Sequence, residues 1–280
     1  MKLALCLCGI VGGATGKGGH GTLETTKQVL KIGYNRYKKN LIDVNNADIF
    51  IHCWTKELEQ EIISLYQPKK YTIEKQKFFE IPDHVTGGGP NQPNRKQNHY
   101  SRWYSTKKVV ELKKQYEEEN NFEYDFVMVS RFDHAWEHQT NFDQFEQEYF
   151  YAPNWPRWYH PDGREVKDKH WFPLLQKYGE EIKNKFNRKL VGYPYNHEGL
   201  LDQWFFANSK NMDNFANLFD FLDEYTLPGK CSTDKSHAIS SHRLSLYHLE
   251  KLGLKDKIKL AFDLHEDHPS IRRKYFLTQA

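Results

Sequence analysis

No stretch of the 280-residue chain reaches the roughly 18 consecutive apolar residues that a membrane-spanning helix needs. Cysteine is scarce. The four present (Cys6, Cys8, Cys53, Cys231) form no C-x-x-C pair, which argues against a structural zinc and against a disulfide framework. Cys6 and Cys8 stand two apart, on one face of a strand, where small core side chains are expected. Charge of one sign is lacking as well: 40 Lys and Arg against 37 Asp and Glu leave a formal charge of +3, mixed along the chain. Nucleic acid is therefore not an expected partner. There is no internal repeat, low-complexity tract or linker between two cores, so residues 1–280 read as one domain. What is present in quantity is 38% hydrophobic and 28% charged residues, an ordinary globular balance, with 7 Trp, 17 Tyr and 18 Phe, several of them in polar stretches.

The opening MKLALCLCGIVGG has only part of a signal peptide's pattern. One Lys precedes a short apolar stretch, Leu3 to Val11, that runs into glycines without a small-x-small cleavage site. It reads as a buried first strand, with a cytoplasmic location expected. Residues 12–21 (GGATGKGGHG) form a turn, and Thr22 to Lys39 carries apolar side chains at helical spacing. A second buried strand at Ala47 to Trp54, a helix over Lys56 to Tyr66 and a third strand at Lys70 to Lys75 complete a strand–helix alternation. That alternation predicts an α/β fold: a mostly parallel, Rossmann-like sheet flanked by helices. Residues 83–99 read as a long mobile loop, Tyr100 to Asn120 as a helix, Tyr124 to Ser130 and Glu148 to Ala152 as strands, and residues 153–173 as an aromatic, proline-rich loop. Helices are expected at about Pro173 to Arg188, Asn208 to Glu224 and Ser236 to Leu252, with a late edge strand at Ile258 to Phe262.

In open α/β sheets ligands bind beyond the carboxyl ends of the strands, and three patches fall there. The glycine turn contains Gly16-Lys17, but Val11 stands where a P-loop needs glycine and Gly18 replaces its Ser or Thr, so the turn offers at most backbone amides and Lys17 to a nucleotide. Arg131-Phe132-Asp133 ends a very apolar strand. A carboxylate there can hold a divalent cation that bridges diphosphate oxygens, and Arg131 can grip phosphate through its fork; the plain alternative is an Arg–Asp ion pair closing the strand. The third is His197 to Trp204. If it begins a helix, Glu198 and Asp202 share one face, orient an acceptor hydroxyl and supply a general base, with Gln203 and Trp204 as hydrogen-bonding and stacking neighbours; the alternative is helix capping. His242 falls on the stripe Ile239, His242, Leu246, Leu249 and reads as a core or boundary residue. His265 to His268 offers possible metal ligands without a diagnostic spacing. Trp155, Trp158 and Tyr159 can stack on sugar faces or fold back over the core.

The segments LALCLCGIV, ADIFIHCW, YDFVMVSRFD and LLDQWFFANSKNMDNF, in that order, resemble GT-A-type glycosyltransferases, most nearly the small enzymes of large viruses, phages and bacterial surface-polysaccharide clusters. The resemblance implies that Asp133 matches the metal- and diphosphate-facing acid of a D-x-D element, with Arg131 in place of its first acid. It implies that Gly9, Gly12 and Gly13 form the nucleotide-binding edge, that Asp202 is the acceptor-side carboxylate, and that His265 matches a late metal-ligating histidine by position. The expectation is a transferase moving a sugar from a nucleotide-sugar donor to a hydroxyl of a glycan or glycoconjugate, aided by manganese or magnesium, or by Arg131 in the metal's place. Cofactor-binding residues would be Gly9, Gly12, Gly13, Lys17, Arg131 and Asp133; metal ligands Asp133 and His265; catalytic carboxylates Asp202 and Glu198; acceptor contacts Trp155, Trp158, Tyr159, Gln203 and Trp204. Two other classes stay open: a phosphoryl- or sulfo-transferase using the turn at residues 12–21, and a non-catalytic glycan-binding module.

Overall fold

The computed structural model describes residues 1–12, 21–87, 94–154, 157–159, 162, 165–166, 187–189, 199–231, 238–263, 267–271 and 275–276. The apolar run at the start of the chain forms β1 (Leu3–Gly9), in which every side chain from Leu3 to Cys8 is buried. Alternate residues serve two cores: Ala4, Cys6 and Cys8 face one, Leu3, Leu5 and Leu7 the other. A strand buried on both faces has no polar side to show, which is why its sequence does not alternate.

β1 pairs in parallel with β2 (Asp48–Cys53) and with β4 (Phe126–Ser130). β3 (Lys70–Ile73) adds beyond β2. On the other side stand β9 (Trp204–Ala207), β5 (Phe150–Asn154) and β10 (Ile258–Asp263), giving the order β10-β5-β9-β4-β1-β2-β3. β9 runs antiparallel to both β4 and β5, while β10 is parallel to β5. The sheet is therefore mixed but mostly parallel, as a Rossmann-like α/β fold requires. Three short strands, β6 (Arg157–Tyr159), β7 (Glu165–Val166) and β8 (Asn187–Lys189), form a separate small antiparallel sheet.

On one face lie α1 (Leu23–Tyr37) and α2 (Glu59–Tyr66), packing Val29, Leu30, Tyr37, Ile62 and Tyr66 against β1 and β4. Thr22 caps α1 by accepting the Thr25 amide at 3.2 Å, a contact worth about 1 kcal/mol. The opposite face carries α3 (Arg95–Asn120), α4 (Ser209–Ala216) and α5 (Ser241–Lys251). α3 crosses β1 and β2 and buries Trp103, Val109 and Val110, but also Ser105, Thr106 and Lys113. The fully buried Lys113 ammonium donates to Glu117 Oε2 at 2.8 Å, Ser209 Oγ at 2.6 Å and Asp213 Oδ1 at 2.5 Å, tying α3 to α4. Burial pushes the Asp213 carboxyl up, while Lys113 opposes that shift.

Several expected boundaries change. α3 starts at Arg95, so residues 95–99 of the expected loop are helical. α5 starts at Ser241 instead of Ser236, because Ala238 makes an isolated bridge to Thr86 first. Most of the helix expected over Pro173 to Arg188 lies outside the described residues, and its last two positions are in the strand Asn187–Lys189. No described helix is long and apolar enough to cross a membrane.

Candidate functional site

Parallel pairing puts the carboxyl ends of β1, β2 and β4 at one edge of the sheet, and the chain leaves each through a tightly held turn. After β1, the Gly9 amide donates to Ser105 Oγ at 2.8 Å, the Trp54 amide donates to the Gly9 carbonyl at 3.0 Å, and the Val11 amide donates to Thr55 Oγ1 at 3.1 Å. Gly12 sits at φ +86°, where a side chain is strained, and a Cβ there would lie 3.4 Å from Asp133 Cβ and 3.7 Å from Asp133 Oδ2. Main chain thus lies directly against the Asp133 side chain, an approach that glycine permits. Gly9 and Gly12 reach the edge as expected; Gly13 and Lys17 lie outside the described residues.

After β4 the chain carries Arg131 and Asp133, bound to each other by two parallel contacts. Arg131 Nε donates to Asp133 Oδ1 at 2.8 Å and Nη2 to Oδ2 at 2.7 Å. The Arg131 side chain is 40% exposed and that of Asp133 only 14%, so the guanidinium is the outer member. Both backbones are anchored: Tyr37 Oη donates to the Arg131 carbonyl at 2.8 Å, and the Ile271 amide to the Asp133 carbonyl at 2.9 Å. Burial pushes the Asp133 carboxyl up, but Arg131 and His134 outweigh it and hold the group below the ordinary carboxylate range.

The antiparallel strand brings the third member. Trp204 pairs with Ser130, so the residues preceding β9 emerge at the same edge where β4 ends. Asp202 is delivered there by residues 199–203, a non-helical segment where a helix was expected. Gly199 takes φ +76°, and a Cβ there would fall 2.0 Å from the His242 carbonyl oxygen. The Leu200 amide donates to that same carbonyl at 2.9 Å, fastening the segment to the first turn of α5. Asp202 Oδ1 contacts His242 Nε2 at 3.1 Å, and its carbonyl accepts from Arg102 Nη2 at 3.1 Å. Burial would raise the Asp202 carboxyl, yet the His242 contact, with Arg102 and Arg131, holds it far below its ordinary value.

His242 lies at the boundary, one of the two places expected for it: its side chain is 29% exposed and paired with Asp202. Trp204 is corrected. It is fully buried inside β9 and stacks on Phe206 at 5.6 Å, so it cannot contact an acceptor. Gln203 is half-buried, and its buried Oε1 has no hydrogen-bond partner among the described residues. Glu198, His265 and Trp155 lie outside the described residues, while Trp158 and Tyr159 contribute backbone to the small sheet.

Helix α3 supplies groups that the sequence did not disclose. Arg102 Nη1 donates to Cys8 Sγ at 2.9 Å and to Thr106 Oγ1 at 2.5 Å. His99 Nδ1 meets Ser241 Oγ at 2.6 Å; burial pushes this imidazole down to about 4, with Asp202 opposing and Arg95 and His242 reinforcing. His52 bridges Ser105 Oγ (2.7 Å) and Glu74 Oε1 (3.2 Å). The order Glu–His–Ser suggests a nucleophilic triad, but Ser105 is fully buried and accepts the Gly9 amide, so the chain of bonds positions the turn after β1. Trp54 stacks on Tyr104 at 5.6 Å beside it. The signal in the sequence was a stripe of polar residues at helical spacing, Arg102, Thr106 and Lys113, on a helix that must cover an apolar sheet.

A divalent cation of the kind the resemblance implies needs several oxygen or imidazole ligands with open lone pairs. Both Asp133 oxygens already accept from Arg131, and no three His, Cys, Asp or Glu side chains among the described residues gather around a common point. The described residues do not fit such a metal. Neither models of protein families nor curated proteins match this chain.

Proposed function

We propose that the chain is a GT-A-like glycosyltransferase, moving a sugar from a nucleotide-sugar donor to a hydroxyl of a glycan or related acceptor. One observation carries the reading. Two guanidiniums, two carboxylates and an imidazole meet beside the Gly9–Gly12 turn, at the sheet edge where ligands of open α/β folds bind.

In that reaction the bond from the anomeric carbon to the diphosphate oxygen breaks, and the acceptor oxygen forms its bond to the same carbon while losing its proton. Charge develops on the leaving diphosphate, where Arg131 supplies fixed positive charge; one preorganised donor of this kind lowers the barrier by about 2.7–4 kcal/mol. On the acceptor side, Asp202 is held as a carboxylate by His242 and the guanidiniums. Its weak basicity suits it to orienting a hydroxyl, with His242 beside it to share the proton.

The test is incubation with UDP-, GDP-, CMP- and dTDP-sugars and a panel of glycan acceptors, read by mass spectrometry for a hexose, deoxyhexose or sialic acid increment. One donor series should support transfer. Asp202→Asn should cut kcat about 10²–10⁴-fold. Sugar binding that needs no nucleotide, with no transfer from any donor, would point to a glycan-binding module and end the transferase reading.

A further inference from the structure

The metal expected at Asp133 and the geometry found there disagree, and the disagreement assigns different work to the two residues. Asp133 spends both oxygens on one guanidinium through the paired contacts at 2.8 and 2.7 Å. It lies inward of Arg131, and the main chain at Gly12 packs over its Oδ2 side. Two of the roughly four lone-pair sites of the carboxylate are thus taken, and a cation approaching Asp133 would compete with the guanidinium in a space crowded on the Oδ2 side by that main chain. Arg131 stands the other way round. Nε and one Nη2 hydrogen are committed to Asp133, and no other hydrogen bond from its side chain occurs among the described residues. Three N–H donors of the five on a guanidinium are left over, on a side chain that is 40% exposed. The bonds from Tyr37 and Ile271 fix the backbone beneath, so the fork is held in place before any ligand arrives. Planar donors arranged this way match phosphate oxygens in two-point contact.

We propose that Arg131 binds a diphosphate directly, without a divalent cation, and that Asp133 is the positioning residue that holds the guanidinium in place. The ligand's identity as the diphosphate of a nucleotide sugar rests on the transferase reading; the anion site itself does not.

Inorganic pyrophosphate, titrated calorimetrically into the full chain in EDTA, tests the site apart from any nucleotide. The wild type should bind, and Arg131→Gln should bind about tenfold or more weakly, the loss expected for hydrogen bonds to a charged group. Arg131→Lys, which keeps the charge and loses the fork, should fall between and guards against misfolding of the glutamine variant. Asp133→Asn retains one acceptor oxygen for the guanidinium and should stay within about threefold of wild type, whereas Asp133→Ala should approach Arg131→Gln. A carboxylate that served only to hold metal would leave all Asp133 variants alike in EDTA. Electron paramagnetic resonance of added manganese should show it free in the wild type. Pyrophosphate binding that appears only with manganese, or that survives Arg131→Gln unchanged, would overturn the proposal. Pyrophosphate binding with no transfer from any nucleotide sugar would leave it standing and end the transferase reading; transfer that requires manganese would do the reverse.

Discussion

The contact between Gly199 and the first turn of α5 offers a substitution whose cost can be divided into two parts. Alanine at Gly199 would meet two penalties: a left-handed backbone at φ +76°, and a Cβ 2.0 Å from the His242 carbonyl oxygen, 2.3 Å from its carbon and 2.6 Å from the Arg243 nitrogen. All three neighbours are backbone atoms, so no side chain can swing aside. The first penalty is about 1–2 kcal/mol, and the second, as overpacking, about 1–3 kcal/mol. Gly253 provides the control, because at φ +70° it has nothing within 4 Å of its would-be Cβ and carries only the first penalty. The entropy that alanine removes from the unfolded chain is common to both variants and cancels in the difference. Gly199→Ala should therefore cost about 1–3 kcal/mol more than Gly253→Ala, which at a urea m-value of about 2 kcal/mol/M separates their midpoints by roughly 0.5–1.5 M. Because the same contact sets the Asp202–His242 pair at 3.1 Å, Gly199→Ala should also lower transfer activity while Gly253→Ala leaves it unchanged. Equal unfolding midpoints in the two variants would refute the argument that close backbone approach seats Asp202.

Lys113→Met would leave Glu117 and Asp213 without the ammonium that they share. A loss of about 3–5 kcal/mol is expected, seen as a fall in melting temperature of roughly 6–20 °C at about 2–4 °C per kcal/mol for a chain of this size. Burial pushes His52 and His134 down to about 4, so each stays neutral in the folded protein where the unfolded chain is already protonated. The unfolded state then binds more protons between about pH 6.5 and 4, and stability should fall on acidification by about 1.4 kcal/mol per pH unit for each histidine. Urea unfolding at pH 7.5, 6 and 5 measures this, and a flat profile would contradict it. Asp202 has a folded-state value far below its unfolded one; its contribution is complete above the unfolded carboxylate range and disappears as the pH falls through and below it. With the profile extended to pH 4 and 3, Asp202→Asn should lose stability less steeply over that added range than the wild type.

The parts of the fold that could be read from sequence are those governed by local pattern. β1 and β4 declared themselves because strands buried on both faces are continuous apolar runs, and α1 because its apolar side chains recur at helical spacing. Arg131 and Asp133 stood out as charged residues closing such a run. The segment before β9 misled: Leu200, Leu201 and Trp204 are spaced as on a helix, but all three are buried by tertiary packing around a left-handed Gly199. A four-residue antiparallel strand inside a parallel sheet is too short for its period to show. Arg102, His99 and His242 were invisible as site residues because what places them is pairing across 40 to 142 positions of the chain, which no local window contains. The same applies to the bidentate pair: its residues were found, but which of the two lies outermost depends on the turn after β1 and on Ile271.

The reversed strand β9 has a consequence for how this chain can change over time. Its register against β4 places Asp202 at the ligand edge whatever the length of chain that precedes it. The 49 positions that separate β5 from β9 in sequence, residues 155–203, include those expected to meet the acceptor. Insertions, deletions and replacements ahead of Gly199 can change those residues while the Asp202 carboxylate stays where the sheet puts it. If the chain acts as proposed, acceptor preference and transfer chemistry are thereby open to separate variation within one chain.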